Sequence, residues 1–277
     1  MDGDHGPAEA VANLRAMVEA ITRPLVAKHV GVVVGASIGP TRVVSGFAGR
    51  GQAKPRGDAV FQIGSITKVF TALALADAVT SGELSMDTPL ASLLPTSSHP
   101  NASAITLGQL ASHTSGLPRL PAGLRRQARA TPADPYSNFS TADLEAALAT
   151  ARPRTAPGKR VRYSNFGAAL LGEALSRHDG TPFEQVIHNR VTAPLGLPET
   201  HIQRRPEFGD RYVQAHSRGR RPVPDWDLGA MPGAGALRST AHDLLEFAHQ
   251  TDLRPHRPRH DPSVERDYTR SRPQSRG

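Results

Sequence analysis

Apolar and polar residues near the N-terminus alternate with the period of an α-helix. The pattern predicts an amphipathic helix over residues 11–29. Five apolar residues form its predicted buried stripe: Leu14, Met17, Val18, Ile21 and Leu25. Pro24 lies inside this pattern and is expected to bend the helix or to end it early.

Two β-branched runs follow this helix, at residues 31–38 and 41–48. The turn between them contains Gly39-Pro40, which favours a chain reversal, so a β-hairpin is predicted. From residue 65 to residue 250, helical patterns alternate with loops rich in Pro and Gly, and no long strand is evident.

Four of these helical patterns have clear boundaries. They predict helices at 107–113, 142–148, 166–175 and 244–248. Ser140 or Thr141 precedes the second of them and is expected to cap it.

The patterns together indicate a mixed α+β fold that combines a helical domain with an incomplete antiparallel sheet. Residues 1–60 are expected to hold the N-terminal helix and hairpin. Residues 61–250 are expected to form a mainly helical part. The segment 251–277 is dominated by Arg, Pro, His, Ser and Asp, and we expect it to be a disordered tail.

The composition of the chain argues against several kinds of site and partner. The 277-residue chain contains no cysteine, which excludes disulfides and thiolate metal sites. Its formal charge of +8 comes largely from scattered arginines without aromatic interleaving, so no nucleic-acid partner is expected. No metal or cofactor site is predicted. With no apolar run long enough for a membrane span and no secretory signal at its start, the expected location is the cytoplasm.

The strongest chemical signal is Ser65-Ile-Thr-Lys68, at the head of a strongly apolar stretch. On a helix that begins at Ser65, the hydroxyl and the amine lie one turn apart on one face. They can supply a nucleophile and a nearby proton acceptor, while the Ser65 N–H can stabilise an anion. The alternative is an ordinary N-cap serine beside a solvated lysine. The apolar helix that follows argues against this alternative, because a lysine at its edge needs a partner.

A second signal is Tyr163-Ser164-Asn165. A phenol near an amine can share its proton and act as a base, and an amide can contact a substrate carbonyl. The tetrapeptide from Tyr136 to Phe139 repeats the sequence that begins at Tyr163. Tyr163 is favoured because it follows a Pro-Gly turn and precedes a helix with an apolar face, whereas Tyr136 lies in a polar loop.

Four segments in this order resemble the family of class C β-lactamases, D-Ala-D-Ala carboxypeptidases and related esterases. They are Phe61-Gln-Ile-Gly-Ser-Ile-Thr-Lys68, Leu110-Ala-Ser-His-Thr-Ser-Gly-Leu-Pro118, Pro157-Gly-Lys-Arg-Val-Arg-Tyr-Ser-Asn165 and Gly233-Ala-Gly-Ala-Leu-Arg-Ser-Thr240. The resemblance covers roughly residues 8–250. It implies a β-lactamase/transpeptidase-like fold.

The resemblance also implies roles for individual residues. Ser65 would be the acylated nucleophile, and Lys68 and Tyr163 would move its proton as one unit. Asn165 would contact the amide side of the substrate. His113 is expected to pack structurally, and the segment 233–240 to form a turn and cap near the site.

The resemblance stops short at the C-terminal end. Family members carry a third motif, Lys-Thr-Gly or His-x-Gly, on a strand that edges the active site, and nothing after Gln250 fits it. We therefore expect a truncated or frame-shifted family member with reduced activity, since losing one oxyanion donor costs about a hundred- to a thousand-fold in rate.

The leading interpretation is a serine hydrolase that acts on a small-molecule or peptide substrate through an acyl-serine intermediate. A β-lactam, a D-amino peptide and a carboxylic ester stay open as substrates. The alternative is a catalytically inactive remnant or pseudoenzyme. The sequence gives no indication of the oligomeric state.

Overall fold

Helices are the predominant regular elements of the described structure, together with two antiparallel pairs of strands. The computed structural model describes residues 7–49, 54–95 and 100–252. Its strands are β1 Gly31–Ile38, β2 Thr41–Ala48, β3 Phe61–Gln62 and β4 Arg238–Ser239. Its α-helices are α1 Pro7–Val26, α2 Thr67–Thr80, α3 Pro100–Ser103, α4 Leu107–Ala111, α5 Leu124–Gln127, α6 Thr141–Ala149, α7 Asn165–Asp179, α8 Phe183–Ile187 and α9 Ala241–Asp252. The predicted α+β fold class is confirmed.

The predicted hairpin forms, and a second, shorter strand pair accompanies it. Strands β1 and β2 pair along their full length, from Gly31 opposite Ala48 to Ile38 opposite Thr41. Strand β3 pairs with β4, placing Gln62 opposite Arg238. This second pair joins the chain just before Ser65 to the segment that resembled a turn near the site.

Helix α1 buries a different row of residues from the one predicted. It runs from Pro7 to Val26, so it starts earlier than predicted and continues past Pro24. Leu14 and Val18 are buried against the hairpin, and Thr22 is buried one turn further on. The neighbouring row is exposed, so the predicted burial of three stripe residues is wrong: Met17, Ile21 and Leu25. Rows one residue apart are rotated by about 100° around a helix, so the hairpin covers only one of them.

Helices α2 and α7 lie at the centre of the apolar core. Phe70 on α2 is fully buried, and α7 buries the continuous run from Phe166 to Leu171. Gly172 on α7 lets the 3₁₀ turn Pro232–Ala234 approach closely, because a Cβ at position 172 would lie 3.1 Å from the Cα of Gly233. The turn therefore fits between α7 and α2.

Hydrogen bonds tie this turn and the strand after it to the start of α2. Thr71 donates to the Gly233 carbonyl at 2.9 Å, and the Leu237 N–H donates to the Thr67 hydroxyl at 3.1 Å. The Ile63 N–H in turn donates to the Leu237 carbonyl at 2.9 Å. The chain on both sides of Ser65 is thus held in place.

Side-chain caps fix the beginnings of the helices around the site. Ser140 caps α6, one of the two residues predicted for this role, and forms a reciprocal capping box with Asp143. Ser164 caps α7 by accepting from the Gly167 N–H. Thr240 accepts from the Asp243 N–H at the start of α9.

The division of the chain at residues 60 and 250 stays a prediction. The expected disordered tail lies outside the described residues from position 253 onward. Among the described helices, none combines the length and the apolar content that a membrane span requires.

Candidate active site

Ser65 lies on a short 3₁₀ turn that precedes α2. The turn spans Gly64–Ile66, and α2 begins at Thr67, so the prediction of a helix starting at Ser65 is wrong by two residues. Gly64 has a φ of 53°, a conformation that favours glycine. The 3₁₀ turn still leaves Ser65 and Lys68 on one side, and Lys68 Nζ lies 3.1 Å from Ser65 Oγ.

Tyr163 reaches the same hydroxyl from a distant part of the chain. Its Oη lies 2.6 Å from Ser65 Oγ, and Lys68 Nζ lies 4.9 Å from the centroid of its ring. The structure thus brings together the alcohol, amine and phenol that the sequence analysis selected. The chemical role of each stays a prediction.

His113 and Ser164 hold Tyr163 in this position. The His113 ring lies 4.8 Å from the Tyr163 ring, and its Nδ1 accepts a hydrogen bond from the Ser164 N–H at 3.3 Å. The Ser164 hydroxyl donates to the Pro118 carbonyl at 2.7 Å. Burial and the positive charge of Lys68 lower the pKa of His113, which favours the neutral ring that this contact needs. His113 thus supports Tyr163 by packing.

The ammonium of Lys68 is partly removed from water. Burial lowers its pKa, and the positive charge of Arg119 acts in the same direction, while Tyr163 opposes the shift. Lys68 Nζ also donates to the Ala234 carbonyl at 2.5 Å. The amine is therefore fixed towards Ser65 and can lose its proton more easily than a surface lysine.

The phenol of Tyr163 is also easier to deprotonate than a free tyrosine. Burial acts to raise its pKa, but the neighbouring Lys68, the Ser65 hydroxyl and the charge of Arg119 outweigh burial, so the pKa is lowered. Lowered pKa values on two adjacent groups are typical of sites that transfer protons. The pair can hold one proton between them.

Asn165 is the first residue of α7, directly behind the Ser164 cap. Its backbone N–H donates to the Arg119 carbonyl at 2.9 Å. Its Oδ1 is buried and has no hydrogen-bond partner among the described residues. A buried acceptor without a partner is costly, so a donor that reaches this oxygen is bound favourably.

Tyr136 belongs to the polar loop, yet this loop folds back towards the site. Its half-buried ring lies 5.5 Å from the ring of Trp226. Burial raises its pKa, while Arg119 and Asn165 act in the opposite direction. The hydroxyl that bonds to Ser65 is nevertheless that of Tyr163.

Trp226 is tied to the strand that leads to Ser65. Gln62 donates to the Trp226 carbonyl at 2.8 Å and accepts from the Trp226 N–H at 3.2 Å. The indole N–H donates to the Ala133 carbonyl at 3.1 Å. The loops that carry Tyr136 and Trp226 therefore pack together and are tied to the strand that ends three residues before Ser65.

The sequence alone does not indicate that Arg119, Tyr136 and Trp226 lie near the site. Arg119 directly follows a recognised segment, and its position there was the one available signal. The polar loop around Tyr136 gives no indication that its ring packs against Trp226. Nothing in the sequence near Trp226 indicates its contact with Gln62.

One group of described side chains has the composition of a metal site, away from Ser65. Atoms of Glu83, His178 and Asp179 lie within 4.8 Å of one another. Arg190 already donates to Glu83 at 2.6 Å and to Asp179 at 2.7 Å, so a positive charge lies among these groups. Glu83 follows the C-terminal end of α2, whereas Ser65 precedes its N-terminal end.

Comparison with known proteins gives a consistent result. The family model described as Beta-lactamase matches residues 18–277. A D-alanyl-D-alanine-carboxypeptidase/endopeptidase, AmpH of Escherichia coli K12, is 32% identical over 202 residues, which cover 71% of this chain and 50% of AmpH. A beta-lactamase of the same strain is 29% identical over 197 residues, covering 71% of this chain and 48% of that protein. The chain thus spans about half the length of these curated relatives.

Solved structures show the same similarity in three dimensions. The crystal structure of D-alanine carboxypeptidase AmpC from Burkholderia cenocepacia superposes with a TM-score of 0.72 at 27% identity, covering 90% of this chain and 67% of that one. A class C beta lactamase from Rhodobacter sphaeroides gives a TM-score of 0.68 at 25% identity, covering 84% and 63%. The described elements therefore match a β-lactamase/transpeptidase-like fold.

Proposed function

We propose that this chain, which belongs to the beta-lactamase family, is a serine hydrolase that transfers the acyl group of an ester or amide to Ser65 and then to water. The observation that carries the proposal is the convergence of three side chains. Ser65 Oγ lies 2.6 Å from the phenol oxygen of Tyr163 and 3.1 Å from the amine of Lys68. This is the arrangement of an activated nucleophile.

In the acylation step, Ser65 Oγ attacks the carbonyl carbon of the substrate while its proton passes to the Tyr163–Lys68 pair. A new C–O bond forms and the carbonyl oxygen becomes negatively charged. The Ser65 N–H belongs to the first turn of a 3₁₀ helix and is one candidate donor to this oxygen. When the oxyanion collapses, the bond to the leaving group breaks, and Tyr163 returns the proton to the departing oxygen or nitrogen.

In the deacylation step, water attacks the acyl-serine carbonyl and gives one proton to the same pair. The bond between Ser65 Oγ and the acyl carbon breaks, the carboxylic acid leaves, and Ser65 regains its proton. Because Lys68 and Tyr163 influence each other strongly, we assign the base as the pair.

Two observations support a substrate class: the names of relatives and one buried oxygen atom. Matched relatives are named beta-lactamase and D-alanyl-D-alanine-carboxypeptidase, which supports a β-lactam or a D-amino peptide as substrate. The unpartnered Oδ1 of Asn165 supports an amide substrate, because it can accept from an N–H next to the scissile carbonyl. A carboxylic ester requires no such contact and is the simplest test substrate.

Covalent labelling tests the proposal. The purified chain is treated with a fluorophosphonate probe, and its intact mass and peptide masses are measured. We expect one adduct, located on Ser65 and lost in Ser65→Ala. Ser112→Ala is the matched control, because Ser112 is an exposed serine on a nearby loop, and labelling of this variant is expected to be unchanged.

The non-catalytic alternative predicts the opposite result. A folded sample that gives no adduct, or an adduct that survives Ser65→Ala, contradicts the proposal. No second oxyanion donor is assigned among residues 7–49, 54–95 and 100–252, and one missing donor costs about a hundred- to a thousand-fold in rate, so slow turnover is expected. Labelling is therefore followed over hours.

A further inference from the structure

Arg119 is an exposed cation at the mouth of the candidate active site. Its guanidinium lies 5.3 Å from the centroid of the Tyr163 ring, and its charge lowers the pKa values of both Tyr163 and Lys68. The side chain is exposed to solvent. Its charge therefore acts directly on the groups around Ser65.

The backbone beneath Arg119 is fixed to the catalytic region. The Arg119 carbonyl accepts from the N–H groups of Asn165 at 2.9 Å and Phe166 at 3.2 Å, at the start of α7. The preceding residue, Pro118, accepts from the Ser164 hydroxyl at 2.7 Å. These bonds hold the base of the side chain at a constant distance from Tyr163.

Arg119 differs from the better-buried arginines in having no ion-pair partner among the described residues. Arg190 is paired with Asp179, and Arg238 with Asp225. Within the described ranges, the Arg119 guanidinium makes neither a hydrogen bond nor an ion pair with any residue. An unpaired guanidinium beside a reactive serine keeps its donors free for a ligand, and its planar fork matches a carboxylate.

The segment next to Arg119 adds positive charge. Backbone bonds from Arg154 to Gly116, from Gly158 to Thr114 and from Arg162 to His113 lay residues 152–162 along the loop that leads to Arg119. This segment carries five exposed cations without an ion pair to a described residue: Arg152, Arg154, Lys159, Arg160 and Arg162. A cluster of like charges at one side of a site attracts substrates of opposite charge.

We propose that Arg119 determines substrate specificity by binding a carboxylate on the substrate, so that the enzyme prefers acyl donors with a negatively charged substituent. The inference rests on the proposed function and adds the substrate class. Arg119 is the binding group, and the cations of segment 152–162 raise the rate of encounter. The charge-assisted hydrogen bond from Arg119 forms with an anionic substrate but not with a neutral substrate of the same shape. This difference accounts for a preference of about tenfold for the anionic substrate.

Two aryl esters of nearly equal shape test the inference. One is the 4-nitrophenyl ester of 4-carboxybenzoic acid, which is anionic, and the other is that of 4-carbamoylbenzoic acid, which is neutral. For each ester, kcat/KM is divided by its rate of hydrolysis by hydroxide, to remove differences in intrinsic reactivity. We expect the wild-type chain to prefer the anionic ester by about tenfold.

Variants of Arg119 separate binding of the carboxylate from effects on the catalytic pair. Arg119→Gln is expected to bring the ratio of the normalised kcat/KM values, anionic over neutral ester, close to one. Arg119→Lys is expected to restore part of the preference for the anionic ester. The removed charge also acts on Lys68 and Tyr163, but this effect is common to both esters and cancels in the ratio. Arg125→Gln removes an exposed arginine from the short helix α5 and is expected to leave the ratio unchanged.

The outcomes separate this inference from the proposed function. If the fluorophosphonate labels Ser65 but the ratio is the same in wild type and Arg119→Gln, the inference is overturned and the serine hydrolase stands. If Ser65 is not labelled at all, the proposed function fails first, and the inference falls with it. A ratio that collapses equally in Arg125→Gln also contradicts the inference, because charge at any position then has the same effect.

Discussion

Replacing Tyr163 with phenylalanine removes one oxygen atom from the centre of the site. The aromatic ring keeps its packing against His113, with ring centroids 4.8 Å apart. The variant loses the 2.6 Å hydrogen bond to Ser65 Oγ and the proton acceptor that the mechanism requires. Lys68 Nζ, which lies 3.1 Å from Ser65 Oγ, remains in the variant as a weaker base.

The expected losses of rate and of stability differ widely. A positioned general base contributes about 10²- to 10⁴-fold, which corresponds to about 3 to 5.5 kcal/mol of activation free energy at 1.36 kcal/mol per tenfold. Tyr163 is 39% exposed, so water can replace the lost hydrogen bond in the folded state. The free energy of unfolding is expected to fall by no more than about 1.5 kcal/mol.

The assay compares two variants of the repeated tetrapeptide. Tyr163→Phe and Tyr136→Phe each remove a phenol oxygen from the same Tyr-Ser-Asn-Phe sequence. Hydrolysis of the neutral 4-nitrophenyl ester is measured for both, and urea unfolding is measured in parallel. We expect at least a hundredfold loss for Tyr163→Phe and less than threefold for Tyr136→Phe. A Tyr163→Phe variant within tenfold of wild type refutes the reasoning, and a large loss in Tyr136→Phe identifies the other phenol as the base.

Three further predictions concern pH and stability. Because the pKa values of Lys68 and Tyr163 are both lowered, kcat/KM for the neutral ester is expected to rise with pH through an apparent pKa below that of a free tyrosine. Arg119→Gln is expected to move this rise to higher pH, and a rise at unchanged pH contradicts the assignment. Phe70→Ala removes a fully buried ring and is expected to lower the free energy of unfolding by about 3 to 5 kcal/mol in urea; a loss below 1 kcal/mol is inconsistent with the described core. Ser164→Ala removes the α7 cap and is expected to cost about 1 to 2 kcal/mol, whereas an unchanged urea midpoint contradicts this role.

Some residues of the candidate site can be identified from their neighbours in the sequence, and others cannot. Ser65 and Lys68 are three residues apart, and this spacing keeps them together in a 3₁₀ turn as well as in an α-helix. Tyr163 was selected from its turn and the helix after it, both of which are local features. Arg119 and Trp226 reach the site through long-range packing, which no local pattern encodes.

The secondary structure also contains elements that local sequence patterns predict and elements that they do not. The hairpin and α6 follow from β-branched runs and a capping serine, and both form where predicted. In α1, periodicity predicts a helix but not the row of residues that packs against the hairpin, because both neighbouring rows contain apolar residues. The β3–β4 pair is two residues long, too short for alternation to be recognised.

Acid quenching during turnover tests the central claim most directly. The chain is mixed with the anionic 4-nitrophenyl ester, quenched within seconds to minutes, digested and analysed by mass spectrometry. The account predicts a 4-carboxybenzoyl group on the peptide that contains Ser65, accumulating with the release of nitrophenol and absent in Ser65→Ala. Release of nitrophenol with the acyl group on another residue, or equal release by Ser65→Ala, would contradict the account.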